Sequence, residues 1–355
     1  MHRTLAAVVA LSFAAACGDS SKTPDSAAPA QTARTTSGAD LTGAGATFPY
    51  PLYSKWFDAY ATSTGTKINY QPIGSGGGIR QLSEQTVDFG GTDAPMTDAE
   101  LAKAKGGTVL HVPTALGAVA VIYNLAEVKQ PLKLNGDVLA AIYQGQISKW
   151  GDARIAALNP GVTLPATDIL VVHRSDGSGT SYVFTDYLAN VSPAWATKPG
   201  KGKEVQWPVG LGAKGNDGVA GQVKQTPGAI GYVELAYANQ NKLSAAMLKN
   251  AAGEFVAPAI ASVTAAAAGA AAKLAPTTDY RVSIVNAAGA GVYPISSFTW
   301  IILYEKQADA AKGKKVVDFL RWALKEGQAM EAALDYAPLP ESMRTALLAR
   351  LDTVK

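Results

Sequence analysis

The spacing of apolar residues changes repeatedly along the chain after Leu41. Short apolar or alternating runs, which are typical of strands, occupy residues 67–71, 87–89, 115–123 and 169–172. Between them apolar residues recur at helical spacing, as Leu52, Trp56 and Tyr60 do every four residues. The run over 115–123 is apolar at nearly every position, which predicts a buried parallel strand. The alternation of strands and helices therefore predicts an α/β fold.

One helix start has a clear sequence signal, whereas an alanine-rich segment has none. Thr97 and Glu100 form the pattern of a capping box, in which each side chain satisfies a free backbone N–H group at the helix start. We therefore expect a helix over residues 97–104. Residues 257–276 are rich in alanine, and this composition is compatible with either a helix or a mobile surface insertion.

The first 17 residues predict an export signal. A short basic start, His2 and Arg3, precedes an apolar run over residues 5–16 that is too short to cross a membrane. Small residues then lead to Cys17, which resembles the lipobox of bacterial lipoproteins, although Ala14 stands where that motif usually has leucine. We expect a lipid anchor on Cys17 and a periplasmic location. The alternative is an ordinary Ala-x-Ala cleavage signal.

Residues 18–40 separate this signal from the rest of the chain. They contain no valine, isoleucine, leucine, methionine or aromatic residue, so they cannot bury enough apolar surface to fold. We expect a disordered linker between the anchor and a folded body. No later stretch is long and apolar enough to predict a membrane span, so the lipid anchor is the only membrane contact expected.

Composition narrows the classes of protein further. The chain has 355 residues, 48% hydrophobic and 17% charged, with a net charge of +3. The hydrophobic fraction excludes a wholly disordered chain, and the length favours two domains. The near-neutral charge argues against nucleic-acid binding through bulk positive charge. Because Cys17 is the only cysteine and there are three histidines, we expect no internal disulfide, no metal centre and no cofactor.

Three turns rich in small residues each precede a predicted helix. They lie at residues 43–49 (GAGATFP), 74–78 (GSGGG) and 174–180 (RSDGSGT). Each turn is expected to present backbone N–H groups and a hydroxyl at a helix N-terminus, with Thr47 as the N-cap of the first helix. That combination binds oxyanions without net positive charge. Any one such turn is more often a structural cap, so the prediction rests on the three together.

Two charged residues sharpen the prediction of an anion site. Arg174 offers a rigid fork of donors that suits a tetrahedral oxyanion, and Asp176 is placed to hold it. Asp93 would repel an anion unless the ligand brings a proton that the carboxylate accepts. Phosphate keeps a proton near neutral pH and sulfate does not, so Asp93 would select phosphate. The alternative is that Asp93 is a turn residue before Pro95.

Six motifs, in this order and spacing, resemble the periplasmic phosphate-binding protein of the Pst ABC importer. They are GAGATFP (43–49), GSGGG (74–78), VDFGGTDAP (87–95), RSDGSGTS (174–181), GLGAKGNDG (210–218) and PGAIGYVE (227–234). The resemblance implies a type II two-lobed periplasmic-binding-protein fold, in which each lobe is a mixed, mostly parallel sheet flanked by helices. It implies a first lobe of residues 41–112 and 289–355 and a second of 113–288. Two hinge crossings would lie near 112–113 and 289–294.

The resemblance also implies a function and a set of ligands. One phosphate would be captured without chemical change and delivered to the transmembrane subunits of an ABC importer. Thr47 would supply its hydroxyl, Phe48 a backbone amide and Ser75 a hydroxyl, while Asp93 would accept the phosphate proton. The second lobe would contribute Arg174, Ser178, Gly179 and Thr180, with Asp176 supporting the arginine. Gly76 departs from the family pattern, which often has a second serine there.

Three rival functions remain open from the residues. Residues 210–215 match G-x-G-x-x-G, and Glu234 follows about 20 residues later as in dinucleotide-binding folds, but Asn216-Asp217-Gly218 is expected to interrupt the helix start. A phosphatase would use Ser75 or Ser178 as nucleophile, but His173 is expected to face away as a structural residue. A binding protein for sulfate, molybdate or arsenate is the third, and Asp93 argues against the unprotonated anions but not against arsenate.

Overall fold

A long strand runs through the centre of the fold and belongs to both halves of the main sheet. The computed structural model describes residues 40–270 and 279–355. The strands are β1 (Leu41–Gly45), β2 (Ile68–Pro72), β3 (Phe89–Thr92), β4 (Val109–Tyr123), β5 (Lys133–Leu134), β6 (Leu170–Arg174), β7 (Leu211–Ala213), β8 (Ala229–Glu234), β9 (Ser244–Ala245), β10 (Met247–Lys249), β11 (Phe255–Val256) and β12 (Ser296–Tyr304). The predicted export signal and Cys17 lie outside the described residues, as does all but the last residue of the predicted linker.

Helices cover the sheet and connect its strands. They are α1 (Tyr50–Thr64), α2 (Ser75–Ser83), α3 (Asp98–Leu101), α4 (Gly136–Tyr143), α5 (Ala153–Leu158), α6 (Gly179–Val191), α7 (Pro193–Thr197), α8 (Gly215–Gln225), α9 (Leu235–Gln240), α10 (Ile260–Gly269), α11 (Ala310–Lys325) and α12 (Glu341–Arg350). None of the helices in the described ranges is long and apolar enough to cross a bilayer.

Strand β4 changes its main partner along its length. Its residues 109–118 pair with β12, and its residues 119–123 pair with β8. The strand order is β2-β1-β3-β12-β4-β8-β6-β7, with β9 also on β4. We call β2, β1, β3, β12 and the start of β4 the first lobe, and the end of β4 with β8, β6 and β7 the second lobe.

The sheet is mixed, with parallel pairs within each lobe and antiparallel pairs at β4 and β12. Strands β1, β2 and β3 pair in parallel, as do β6, β7 and β8. Strands β4 and β12 run antiparallel to their partners in both lobes. The α/β prediction is confirmed, whereas the parallel strand predicted at 115–123 is wrong. Strand β4 is buried along its whole length because it is central, so its apolar run reflects burial and not direction.

Each lobe has its own aromatic core. In the first lobe Phe57 packs against Phe319 of α11, with ring centroids 5.4 Å apart. In the second lobe Phe184 of α6 stacks on Tyr232 of β8 at 4.2 Å. These contacts hold α1 and α11 against the first part of the sheet and α6 against the second. The helices α1 and α6, which follow the first and third glycine-rich turns, are thereby held by buried aromatic side chains.

Several local predictions can be compared with the observed elements. The capping box of Thr97 and Glu100 is confirmed at the start of α3, although that helix ends at Leu101. Helix α10 occupies the first part of the alanine-rich segment, whereas residues 271–276 lie outside the described part. Thr47 is not an N-cap, because Pro49 holds that position and no side chain caps α1. Asn216 does not interrupt a helix start, since α8 begins at Gly215 and continues through it.

Candidate anion-binding site

The second and third glycine-rich turns meet across the two lobes. The backbone N–H of Gly76 donates to the carbonyl oxygen of Gly177 at 2.8 Å. A Cβ atom on Gly179 would lie 2.3 Å from Ser75 Oγ and 2.5 Å from Asp93 Oδ2. Real Cβ atoms do not approach other atoms this closely, so only glycine at position 179 allows the start of α6 to reach the first lobe. The structure therefore brings three residues of the predicted site together.

A buried arginine and its partner carboxylate form the charged part of the site. Arg174 is the last residue of β6, and its Nε and Nη2 donate to Asp176 Oδ1 and Oδ2 at 2.7 and 2.6 Å. Its Nη1 lies 3.4 Å from Thr180 Oγ1. Burial acts to raise the pKa of Asp176, but the hydrogen bonds and charge of Arg174 hold that pKa below its ordinary value. Asp176 thus fixes the plane of the guanidinium and leaves part of its donor fork available.

Asp93 is a buried carboxyl directly after β3. Its Oδ1 accepts a hydrogen bond from Thr299 Oγ1 at 2.8 Å, and its Oδ2 lies 3.4 Å from Ser75 Oγ. Burial raises the pKa of Asp93 to about 7, against the opposing effects of Thr299, Arg174 and Ser75. Near neutral pH this carboxyl is therefore poised between its charged and neutral forms, which suits a group that shares a proton with a ligand.

The turn at Thr47 and Phe48 is held from two sides by tyrosines. Tyr237 Oη donates to the carbonyl oxygen of Thr47 at 2.6 Å, and Tyr336 Oη donates to that of Phe48 at 2.6 Å. Tyr237 lies on α9, whereas Tyr336 lies near the C-terminus. Both carbonyl oxygens of the turn are therefore occupied, which removes two partial negative charges from the groups that an anion would meet.

Two helices begin at the place where the lobes meet. Ser178 is the N-cap of α6, and its Oγ accepts from the backbone N–H of Ser181 at 3.0 Å. The N–H groups of Gly179 and Thr180 have no partner within the helix because they belong to its first turn. Helix α2 begins at Ser75 on the opposite side. The positive ends of two helix dipoles thus converge beside Arg174, an arrangement that stabilises an anion.

Sequence reasoning missed four residues that organise this site. Asn216 contacts side chains of both lobes, Thr299 orients Asp93, and Tyr237 and Tyr336 hold the Thr47 turn. Asn216 lies in one of the motifs that carry the family resemblance, but the sequence alone predicts only that it interrupts a helix start. The other three reach the site from distant parts of the chain, and no local pattern signals such a contact.

The two serines of the site have different partners. Ser75 Oγ hydrogen-bonds to Asp93, and Ser178 Oγ is used as a helix cap. His173 stacks on Trp207 with ring centroids 4.8 Å apart, and its Nδ1 lies 3.1 Å from the carbonyl oxygen of Arg174. Among the described residues no histidine hydrogen-bonds to either serine. The hydroxyl and backbone donors of the site can hold an anion by hydrogen bonds.

Comparison with known proteins identifies the family to which the chain belongs. The PBP superfamily domain matches residues 27–326, so the chain is a member of that superfamily of binding proteins. The phosphate-binding protein PstS of Xylella fastidiosa (strain Temecula1) is 47% identical over 312 residues, which cover 88% of this chain and 84% of the relative. The phosphate-binding protein PstS of Pasteurella multocida (strain Pm70) is 45% identical over 322 residues, covering 90% and 92%. The chain therefore belongs to the PstS family of phosphate-binding proteins.

A solved structure shares the fold. The high affinity periplasmic phosphate-binding protein PfluDING, solved with bound phosphate at pH 8.5, superimposes with a TM-score of 0.67. The alignment covers 87% of this chain and 93% of that one, at 24% sequence identity. The likeness confirms the two-lobed periplasmic-binding-protein fold that the motifs predict.

Proposed function

We propose that this protein captures one inorganic phosphate between its lobes and delivers it to an ABC importer. The names of its PstS relatives describe them as phosphate-binding proteins. One observation carries the proposal for this chain. Asp93, a buried carboxyl whose pKa is raised to about 7 by burial, lies beside Ser75 and the first turn of α6. A proton acceptor surrounded by anion-binding donors fits an oxyanion that carries a proton, and inorganic phosphate is the common one.

Each site residue then has a distinct role in the proposal. Donors on the first lobe are the hydroxyl groups of Thr47 and Ser75 and the backbone N–H of Phe48. Donors on the second lobe are the Arg174 guanidinium, the Ser178 hydroxyl and the N–H groups of Gly179 and Thr180, with Thr180 adding its hydroxyl. Asp93 is the acceptor, and Asp176 positions Arg174. No bond is made or broken, so we assign the protein no enzymatic activity.

Closure of the two lobes is the proposed means of capture. The ligand would contact donors of both lobes, and its binding free energy would favour the closed state over an open one. We propose lobes of residues 41–112 with 289–355 and of residues 113–288, joined by two crossings. The partner change along β4, between Ala118 and Val119, supports one crossing in this strand, slightly beyond the predicted position of 112–113.

The same proposal includes a location and a partner. A substrate-binding protein of an ABC importer acts outside the inner membrane, where the transmembrane subunits open to receive its ligand. We propose that the mature protein is held there by a lipid on Cys17, which the lipobox-like residues before it support. No contact with nucleic acid is proposed. Mass analysis of the mature N-terminus tests the anchor, since an unmodified cysteine or a cleavage elsewhere would exclude it.

Calorimetry on protein freed of phosphate tests the binding function. Above about pH 7, where Asp93 is mainly charged, we expect one phosphate per chain to bind tightly and excess sulfate to give no heat. The variant Asp93→Asn should lose this discrimination, because its amide no longer confronts sulfate with a negative charge. Absence of phosphate binding would refute the function, and sulfate rejection by Asp93→Asn would refute the role of the carboxylate.

Two further arms of the same experiment address the rivals. Arsenate carries a proton like phosphate, so we expect it to bind and compete with phosphate. A phosphate monoester incubated with the protein should not be hydrolysed. Turnover of the ester that is abolished by Ser75→Ala or Ser178→Ala would favour a phosphatase instead.

A further inference from the structure

One asparagine links a threonine of the first lobe to a threonine of the second. Asn216 is fully buried at the start of α8 in the second lobe. Its Nδ2 donates to Thr47 Oγ1 of the first lobe at 2.9 Å and to Thr180 Oγ1 of the second at 3.1 Å. Its backbone N–H also donates to Thr47 Oγ1 at 3.2 Å. The Thr47 hydroxyl therefore caps a helix of the opposite lobe, in addition to its place in the site.

The orientation of the Asn216 amide is determined by a backbone group. The N–H of Glu234 lies 3.1 Å from Asn216 Oδ1, and an N–H can only donate. The oxygen of the amide must therefore face Glu234, and the nitrogen, which can only donate, must face the two threonines. No exchange of the amide atoms is compatible with all of these contacts.

In this orientation each threonine hydroxyl can only donate a hydrogen bond to a ligand. A hydroxyl has one proton to donate and two lone pairs to accept with. Thr47 Oγ1 accepts from the backbone N–H and the Nδ2 of Asn216, so both lone pairs are occupied. Thr180 Oγ1 accepts from Asn216 Nδ2 and lies 3.4 Å from Arg174 Nη1, so its lone pairs are taken as well. Only the two hydroxyl protons remain to be offered.

We infer that Asn216 is a positioning residue that makes Thr47 and Thr180 obligate hydrogen-bond donors to the bound anion when the lobes are closed. The inference rests on the proposed function, because it concerns the same site. It adds a role that ligand contacts alone do not reveal. Asn216 does not need to touch phosphate, yet it ensures that two flexible hydroxyls meet an acceptor-rich ligand with their protons. It also makes this orientation depend on closure, since Thr47 belongs to the other lobe.

A double-mutant cycle with phosphate calorimetry tests the inference. Asn216→Asp keeps the size of the side chain but replaces the donor Nδ2 with an acceptor, so the Thr47 proton should turn toward position 216. We expect this variant to bind phosphate at least about 10-fold more weakly than the wild type. We also expect Thr47→Val to weaken binding about 10-fold in the wild type but less than about 3-fold in the Asn216→Asp background.

Controls separate this role from a loss of folding. Asn159→Asp makes the same chemical change at another buried asparagine of the second lobe, whose amide bonds to the backbone of Lys133 and Ile155. It should lower the melting temperature without changing the effect of Thr47→Val. If Asn216→Asp does not fold, Asn216→Ala enters the same cycle with the same expected direction.

The outcomes distinguish this inference from the proposed function. Equal costs of Thr47→Val in both backgrounds, or unchanged affinity in the Asn216 variants, would overturn the inference while phosphate binding by the wild type stands. A wild-type protein that does not bind phosphate would instead overturn the function, and the inference with it.

Discussion

Two opposing effects act on the ionisation of the Asp93 carboxyl. It is almost fully buried, and burial alone would keep it neutral, yet its place beside Arg174 and Thr299 favours the charged form. The result is a pKa raised to about 7, so a change of proton occupancy costs little free energy near neutral pH. A ligand that arrives with a proton can therefore share it with Asp93 without a large penalty.

The same shift predicts how stability depends on pH. The pKa of Asp93 rises from about 3.9 in the unfolded chain to about 7 in the folded one. Its contribution to stability is therefore fully present below about pH 4 and is lost as the pH rises through about 7. For phosphate-free protein, Asp93→Asn should gain melting temperature relative to the wild type between about pH 5 and about pH 8, by several degrees.

A partly exposed carboxylate provides the control for this measurement. Burial plays little part at Asp152, and hydrogen bonds from Arg154 lower its pKa to about 2. Asp152→Asn should therefore differ from the wild type by the same amount throughout the range above about pH 5. A difference between Asp93→Asn and wild type that likewise stays constant with pH would contradict the assigned pKa of Asp93.

At the level of residues, sequence patterns predict only those contacts that a local motif encodes. The pairing of Arg174 with Asp176 follows from their spacing, and the structure has it as a two-bond contact. The bond from Thr299 to Asp93 joins positions 206 residues apart. No spacing rule predicts it, because it depends on which strand lies beside β3 in the sheet.

The start of α6 is the element on which closure depends most directly. Gly179 allows the first turn of this helix to reach Ser75 and Asp93, and any larger side chain would hold the two apart. We therefore expect the affinity of the site to depend on how closely the first turn of α6 can approach the first lobe.

Gly179→Ala should consequently act as a wedge between the lobes. The added methyl group would clash with Ser75 and Asp93 in the closed form but not when the lobes are apart. We expect phosphate affinity to fall about 10- to 100-fold, with little change in the melting temperature of phosphate-free protein. Calorimetry and thermal unfolding of the same sample measure the two effects.

Gly221→Ala is the matched control in another helix of the second lobe. A Cβ atom on Gly221 meets no atom within 4 Å. Its substitution should leave affinity within about 2-fold and raise stability by about 0.5–1 kcal/mol, because alanine favours the helix. Equal affinities of the two glycine variants would show that contact at position 179 does not limit closure.

Helix starts were predictable where the capping atoms are local. The side chains of the Thr97 capping box lie three residues apart, and the pattern is therefore visible in the sequence. Helix α8 is different, because its second N–H group is satisfied by Thr47 from 169 residues away. The prediction that Asn216-Asp217-Gly218 interrupts the helix start is wrong because it considers only local residues.

At the scale of the whole molecule, one ion pair outside the site also connects the two lobes. Lys203, between α7 and β7, pairs with Glu100 of α3 at 2.7 Å. The two side chains are only 16% and 27% exposed, so solvent screens the pair less than a fully exposed one. This ion pair joins the second lobe to the first without taking part in the site.

Lys203→Met should weaken phosphate binding modestly by removing a contact of the closed state. We expect a loss of about 2- to 5-fold, which corresponds to an ion pair worth about 0.5–1 kcal/mol. The wild type should also lose more affinity than the variant when salt is added, because salt screens the pair. Titrations at low and high salt measure both quantities.

Lys105→Met is the control, since Lys105 pairs with Glu84 inside the first lobe. It removes a surface charge of the same kind and should leave the affinity and its salt dependence unchanged. A loss as large as that of Lys203→Met would mean that bulk charge, and not a contact between the lobes, is responsible.

At the scale of the molecule, the α/β class could be predicted because buried strands and amphipathic helices alternate along the chain. The direction of β4 could not, since a central strand is apolar on both faces whichever way its neighbours run. Its antiparallel partners, β12 and β8, are determined by connections that span more than a hundred residues. Pairings between such distant strands produce no periodic pattern of apolar residues in the sequence.

The position of β12 has a consequence for the order of assembly during synthesis. This strand lies between β3 and β4, although it begins 204 residues after β3 ends and 173 residues after β4 ends. The Thr299 bond to Asp93 and the Tyr336 bond to the Phe48 carbonyl both come from the last part of the chain. A growing polypeptide that stops short of them lacks the strand that pairs with both β3 and β4. The proposed anion site can therefore assemble only after residues 296–336 have been synthesised.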